Sequence, residues 1–311
     1  MRLWHWIDGF PTPESRARRL GIVLMLLVAL CWAALEYIGS FISWRYSPFE
    51  TVWVRYGTHL LLMLVFLGPS QGARLVRTPR LGRQMFRSSL MLAMPVCFVL
   101  ALRHGLDPRL VWSINWVSVP LTLAVAAVVL GERVAMVQWV AALLGLAGAW
   151  LMLGPPALEL RRALLFPLGM GACYAFYTIL TRQMRSEATE ANLFHTAFWV
   201  FLALTFLMPF VWRTPSPAAM LEMMAIGVLG FLLLLLLDRA LAWAPVSLVA
   251  PLIYTECFWG AALRHHLHGW RPDLKGALGS LLIALSIGYV LLRELGSERP
   301  LSKFEAQSSN S

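Results

Sequence analysis

Apolar residues fill this chain in long runs, and polar residues are gathered mainly into the short gaps between them. Runs of about 17–25 mostly apolar residues are long enough to cross a hydrocarbon core as helices. Ten recur, at roughly 20–43, 50–68, 88–103, 111–130, 134–153, 163–182, 192–212, 218–237, 246–264 and 274–292. The pattern predicts an all-α integral membrane protein with ten transmembrane helices. The first run is longer than a signal-peptide core and no small-residue cleavage site closes it, so it is expected to be a retained helix. Segment 1–19 is expected to be a cytoplasmic lead-in. The stretch 296–311, rich in Ser, Glu, Gln and Asn, is expected to be a disordered cytoplasmic tail.

The runs repeat. Cys31-Trp32-Ala33 in the first resembles Cys173-Tyr174-Ala175 in the sixth. Val117-Ser118-Val119-Pro120 in the fourth resembles Ser247 to Pro251 in the ninth, and Gly145 to Gly148 in the fifth resembles Gly276 to Gly279 in the tenth. The halves are therefore about 20–157 and 158–295, five spans each. An odd number of spans per repeat forces the copies into opposite orientations, and inverted repeats of this kind place a substrate site near the midplane.

Composition agrees: 59% of residues are hydrophobic and 14% are charged, against about a quarter charged in ordinary soluble domains. The net charge of +10 points to loop arginines that set orientation, and not to nucleic acid. With the N-terminus inside, sixteen basic residues fall on the cytoplasmic side and nine outside, and the loop at 69–87 with its five arginines contributes most. Both termini are thus expected in the cytoplasm. Trp44, Trp112, Trp139, Trp150, Trp212 and Trp243 sit near span ends, as an aromatic belt would. The cysteines Cys31, Cys97, Cys173 and Cys257 lie singly in apolar runs and read as core residues. Gly169 to Gly171 reads as small-residue helix packing. No nucleophile triad, P-loop or dinucleotide turn appears, so neither an enzyme nor a cofactor is expected.

Leu130-Gly131-Glu132-Arg133, then Trp139, Gly145 and Gly148, resembles the EamA-domain family of the drug/metabolite transporter superfamily. So does the second half, with Ala240-Leu241, Ala244, Ala250-Pro251, Tyr254, Ser286, Tyr289 and Arg293-Glu294. Leu75 to Thr78, Gln84, Arg87, Phe98 and Ala101-Leu102 look most like the branch that includes S-adenosylmethionine permeases. The resemblance covers about residues 20 to 294. It implies a permease whose helices one, three, four, six, eight and nine line the path. The sequence departs at Gly269-Trp270, where relatives carry Gly-Glu before Pro-Asp, and in the histidines His265, His266 and His268.

Among residues that could carry chemistry, Glu256 stands first. A carboxyl inside a lipid-spanning helix is costly and asks for a function or a partner. It is expected about 15 Å into its span, near the midplane, as a cation or proton site; packing of a hydrogen-bonded carboxyl is the other reading. Glu36 and Arg55 are expected at matching depth, as an ion pair or a gate. Pro120 and Pro251 are expected to kink their helices at corresponding places. Tyr254 and Trp259 are candidates for an aromatic wall, Asn115 and Trp116 for a polar contact on the fourth helix, and His59 for a proton relay or a packing residue. His265 and His268, at an exposed helix end with no acid or cysteine beside them, are not expected to bind metal. Asp238-Arg239 reads as a local interfacial pair.

These features predict a secondary transporter in the bacterial inner membrane, moving a small organic metabolite by alternating access. Two acids at membrane depth favour an amino-acid-like, cationic or zwitterionic solute. Its partners are that solute, the lipid bilayer and protons as the candidate coupling ion, with no nucleic acid, in a monomer or homodimer. The alternative is a non-transporting scaffold or sensor derived from a permease.

Overall fold

The structure, a computed structural model, describes residues 14–43, 45–154, 162–269 and 271–296. The expected tail, most of the expected lead-in, Trp44 and Trp270 lie outside the described residues. All regular elements within them are helical. The main ones are α1 (Glu14–Ile42), α2 (Pro48–Phe66), α3 (Leu81–Arg103), α4 (Pro108–Leu130) and α5 (Met136–Leu153). After the undescribed stretch at 155–161 come α6 (Leu165–Gln183), α7 (Thr189–Thr205), α8 (Pro217–Trp243), α9 (Val246–His268) and α10 (Leu274–Gly296). Eight helices among the described residues are long and apolar enough to cross a membrane, and α2 makes a ninth when joined to residues 68–75, which turn away by 52°. The shortest main helix, α7, has 17 residues.

Local chemistry explains where the helices start and stop. Three begin with the same device, an N-cap acceptor followed by proline: Ser47-Pro48, Asp107-Pro108 and Ser216-Pro217. The side-chain oxygen takes an amide that has no partner within the helix, and proline at the first helical position loses no hydrogen bond. The expected span 192–212 ends instead at Thr205, with a separate turn at Met208–Val211 that carries Pro209 near its start. The expected loop 69–87 is also shorter than predicted, because α3 starts at Leu81 and takes Arg83 and Arg87 into its first two turns.

The bundle is built from helix pairs. α1 packs on α8 and α3 on α6; α2 packs on α8 and α7 on α3; α9 packs on α1 and α4 on α6. Exchanging the first five helices for the last five leaves these pairings unchanged. α5 and α10 pack on each other, and their closest approach is glycine to glycine. A Cβ on Gly148 would stand 2.7 Å from the Gly279 carbonyl oxygen, and one on Gly279 would stand 2.5 Å from that of Gly148. Lipid offers no apolar driving force between helices, so such small-residue contacts are a main source of association. Ser286 adds a hydrogen bond to the Ala141 carbonyl at 2.7 Å. Large side chains such as Phe206, Phe210, Leu165 and Leu292 are exposed, as a lipid-facing surface allows.

Gly148→Leu is therefore expected to lower stability by about 1–3 kcal/mol through overpacking. Gly288→Leu, where an added Cβ meets nothing within 4 Å, serves as the control. Thermal unfolding in detergent reads both, and equal melting midpoints would contradict the glycine contact.

Candidate functional site

Two of the predicted acids meet where α9 packs on α1. Glu36, on α1, accepts a hydrogen bond from Trp32 Nε1 one turn earlier at 2.9 Å. The Glu256 carboxyl on α9 lies within side-chain hydrogen-bonding reach of it. An ionised carboxylate only accepts, so a bond between two carboxyls requires a proton on one of them. Arg264, two turns beyond Glu256, lies within electrostatic reach of Glu36. Tyr174, on α6, stands edge-on to the Trp32 ring with centroids 5.7 Å apart and within electrostatic reach of Glu256. Glu256 is buried and Glu36 half-buried. The group thus combines acids, a cation and aromatic edges from α1, α6 and α9.

The expected Glu36–Arg55 ion pair is replaced by this arrangement. Arg55 lies against α8, where a Cβ on Gly230 would fall 2.4 Å from its Nε, with its guanidinium 5.3 Å from the Tyr56 ring centroid. Matching depth made the ion pair sterically allowed, but the helix next in sequence is not the one that supplies the Glu36 partner. His59 is fully buried, edge-on to Phe231 at 4.9 Å, with Nε2 lacking a hydrogen-bond partner.

The backbone is irregular beside both prolines expected to kink their helices. α4 breaks at Trp116 and Val117, just before Pro120, and α9 runs as a tighter 3₁₀ turn over Ala250–Tyr254, around Pro251. A proline leaves the carbonyl four residues earlier without its amide. For Pro120 that carbonyl belongs to Trp116, and it accepts from the Tyr254 hydroxyl at 3.1 Å. Tyr254 is fully buried, with its ring on Gly145, where a Cβ would come within 2.3 Å of it. It ties α9 to α4 and α5 and is no wall of an open cavity. Trp116 is buried beside the Tyr254 ring at 5.3 Å. Two other predicted residues hold unspent polar atoms: Asn115 Oδ1, packed beside Gly171, and Trp259 Nε1, one turn from Glu256. Such buried atoms call for a partner.

At the opposite end of α3 and α8 lies a network that sequence reading missed. Arg87, on α3, is 1% exposed. Its Nη2 donates to Asn192 O at 2.5 Å, Thr196 Oγ1 at 2.9 Å and Gln84 Oε1 at 3.2 Å. Its Nη1 lies 3.7 Å from Asp238 Oδ1, and its guanidinium is 5.4 Å from the Tyr177 ring centroid. Asp238 also accepts from Asn192 Nδ2 and from Thr189 Oγ1, at 3.1 and 2.7 Å. Gln84 donates to Asn192 and Glu187. Asp238 is therefore no mere local partner of Arg239: it joins α8 to α3 and α7. Beside it, Glu132 accepts from the Val246 and Ser247 amides at 3.0 and 2.8 Å, capping the start of α9, and lies 4.0 Å from Arg182 Nε. Arg182 in turn donates to the carbonyls of Leu241 and Ala242. The available signal was polar spacing inside apolar helices, Gln84 with Arg87 and Asn192 with Thr196.

A multi-helix bundle with an apolar outer face, an acid pair within it and a sealed polar network at one end defines a polytopic membrane protein built around an internal site. The sequence matches the EamA-like transporter family over residues 19–154 and again over 161–292, and the chain belongs to that family. It is a membrane transporter and not an enzyme. Among curated relatives, it is 25% identical over 293 residues to a riboflavin transporter of Vibrio cholerae, covering 90% of this chain and 95% of that protein. It is 24% identical over 280 residues to an uncharacterized transporter of Helicobacter pylori, covering 86% and 92%. A crystal structure of a protein 18% identical in sequence aligns with a TM-score of 0.77 over 89% of this chain and 98% of its own, a likeness of fold.

Removing one partner of a buried charge pair leaves the other uncompensated, a cost of about 3–5 kcal/mol. Asp238→Ala is expected to destabilise the protein by that order, and Arg87→Met/Asp238→Leu by clearly less than Asp238→Ala alone. Chemical unfolding in detergent measures both, and a double variant as unstable as the single one would refute the pairing.

Proposed function

We propose that the chain is a secondary transporter of ten transmembrane helices in two inverted five-helix repeats, about 20–157 and 158–295, moving a small organic metabolite by alternating access. The pairing pattern, unchanged on exchange of halves, and the double family match support the repeats. The orientation, both termini in the cytoplasm of a bacterial inner-membrane protein, rests on the basic loops. In this orientation the Arg87 network closes the inner end, while residues 264–269 at the outer end of α9 are exposed.

The observation that carries the proposal is the Glu36–Glu256 carboxyl pair, held by Trp32 and joined by Arg264 and Tyr174. Within lipid such a pair is retained for what it binds. A protonated amine would replace the shared proton, the carboxylate of a zwitterion would find Arg264, and an apolar or flat portion would rest on the aromatic edges. An amino-acid-like or S-adenosylmethionine-like solute has this chemistry. A second reading, a flavin-like ring system, is favoured by the curated riboflavin transporter; its N–H and carbonyl groups match Asn115 Oδ1 and Trp259 Nε1.

Exchange of amine for proton at the pair makes protons the coupling ion. Proteoliposomes with saturable, pH-gradient-driven uptake of a labelled amino acid, S-adenosylmethionine or riboflavin are the test. Glu256→Gln is expected to abolish the pH-driven component and Trp32→Phe to raise the KM. Full pH-driven uptake by Glu256→Gln would sink the coupling role. The absence of saturable flux for every solute class would favour the scaffold reading.

A further inference from the structure

A cavity of about 670 Å³ opens at the same end of the bundle as the Arg87 network but on its flank, between residues 76–81 and α7. Arg77, Leu81, Phe194, His195, Phe198 and Trp199 line it. The Phe194 and Phe198 rings stack at 5.6 Å and 9°, and Trp199 stands edge-on to Phe198 at 5.1 Å. The walls are thus mainly aromatic.

Two polar atoms in those walls are unspent. His195 is 3% exposed, and its Nε2 lies 3.0 Å from the Val76 carbonyl, which accepts only; Nε2 therefore carries the proton and Nδ1 is an acceptor. Nδ1 is buried without a partner, and so is the Trp199 Nε1 donor. One free acceptor and one free donor thus lie buried in the residues that line the cavity. At its rim Arg77 is exposed, with Arg74 one turn away. Two acids, Glu187 and Glu190, line a neighbouring hollow with Arg74 and Arg77, and Glu187 is engaged by Thr78, Gln84 and Arg80. Beyond the rim, Leu81, Met85 and Phe86 on α3 are 47, 44 and 56% exposed and continue an apolar face along the helix.

We propose that this groove binds one anionic diacyl phospholipid with a hydroxylated headgroup, of the phosphatidylglycerol kind. Its phosphate meets Arg77 and its acyl chains follow the Leu81–Phe86 face, while a rotation of the wall side chains brings the buried Trp199 N–H to the phosphate and His195 Nδ1 to a headgroup hydroxyl. Positive charge with an apolar track at a bundle end is the recognition chemistry of anionic lipid. The bound lipid braces the sealed end, because the His195 carbonyl accepts from Ser88 and Thr78 donates to Glu187. Occupancy of the groove and closure of the Arg87 network are thereby linked.

The test is native mass spectrometry and thermal unfolding of the full chain in detergent, titrated with dioleoyl-phosphatidylglycerol or dioleoyl-phosphatidylcholine. A saturable one-to-one adduct and a raised melting temperature are expected with the first lipid only. Arg77→Gln is expected to weaken that binding roughly fivefold, the scale of one cationic side chain at an anionic surface. Trp199→Phe weakens it with the lipid-free melting temperature unchanged, and Arg103→Gln at the other end leaves it as it is. Equal retention of both lipids, or unchanged binding by Arg77→Gln, would overturn the proposal. So would equal protection by soluble glycerophosphoglycerol, which would assign the groove to a free anion.

Discussion

Inside a bilayer no water completes an unpaired backbone group, so every break in a helix has to be mended by the protein itself. α4 and α9 are both irregular, and each supplies a group to the other's backbone. Pro120 frees the Trp116 carbonyl, and the Tyr254 hydroxyl of α9 takes it. The first amides of α9, which begins after Pro245 with no side-chain cap of its own, are taken by Glu132 at the end of α4. The Trp116 carbonyl also accepts from the Val119 amide at 3.3 Å, so the Tyr254 hydroxyl completes a carbonyl that the local turn bonds only weakly. Gly131, at φ 65°, turns the chain so that Glu132 reaches this position, which is why the pair occurs as Gly-Glu.

The mending is unequal at the two ends. Where α9 starts, the cap comes from a different helix and continues through Arg182 to the last carbonyls of α8. Where α4 starts, Asp107 accepts from Arg109 two residues on, at 2.7 Å, and the helix caps itself. Gly269 repeats the φ of Gly131, at 64°, but is followed by tryptophan and not glutamate. A bond across helices resists their separation and a bond within one does not. The other end is joined across helices as well, by Ser113 to Gly154 and Trp150 and by Tyr37 to His268, so opening at either end breaks bonds between helices.

How far the sequence alone reads depends on the range of each interaction. Helical class, the repeat and the glycines of α5 and α10 follow from composition and spacing along one chain segment. Glu256 was visible because an acid in an apolar run is costly wherever its partner lies. Its partner was not visible: depth along the helix matched Glu36 to Arg55, while the fold packs α1 on α8 and α9. Arg87 was hidden by its company. Among five arginines in what reads as one basic loop, nothing local distinguishes the exposed Arg83 from the buried Arg87, because the difference lies in Asn192, Thr196 and Asp238, more than a hundred residues away.

The burial of Arg87 also constrains how the proposed cycle turns. Its guanidinium is joined to four other residues by hydrogen bonds, Thr181 included, and to Asp238 by charge. Separating α3 from α8 in a dry interior would leave two charges unpaired, a loss far larger than the binding of one small solute supplies in differential affinity. Opening at this end must therefore admit water as the helices part, so that hydration replaces each protein contact as it is lost. The threonines and amides around the pair suit this, since hydroxyl and amide groups bond to water as well as to one another. A network of many modest polar contacts can be exchanged for water piecemeal, whereas an apolar seal of equal area would expose its surface with no such replacement.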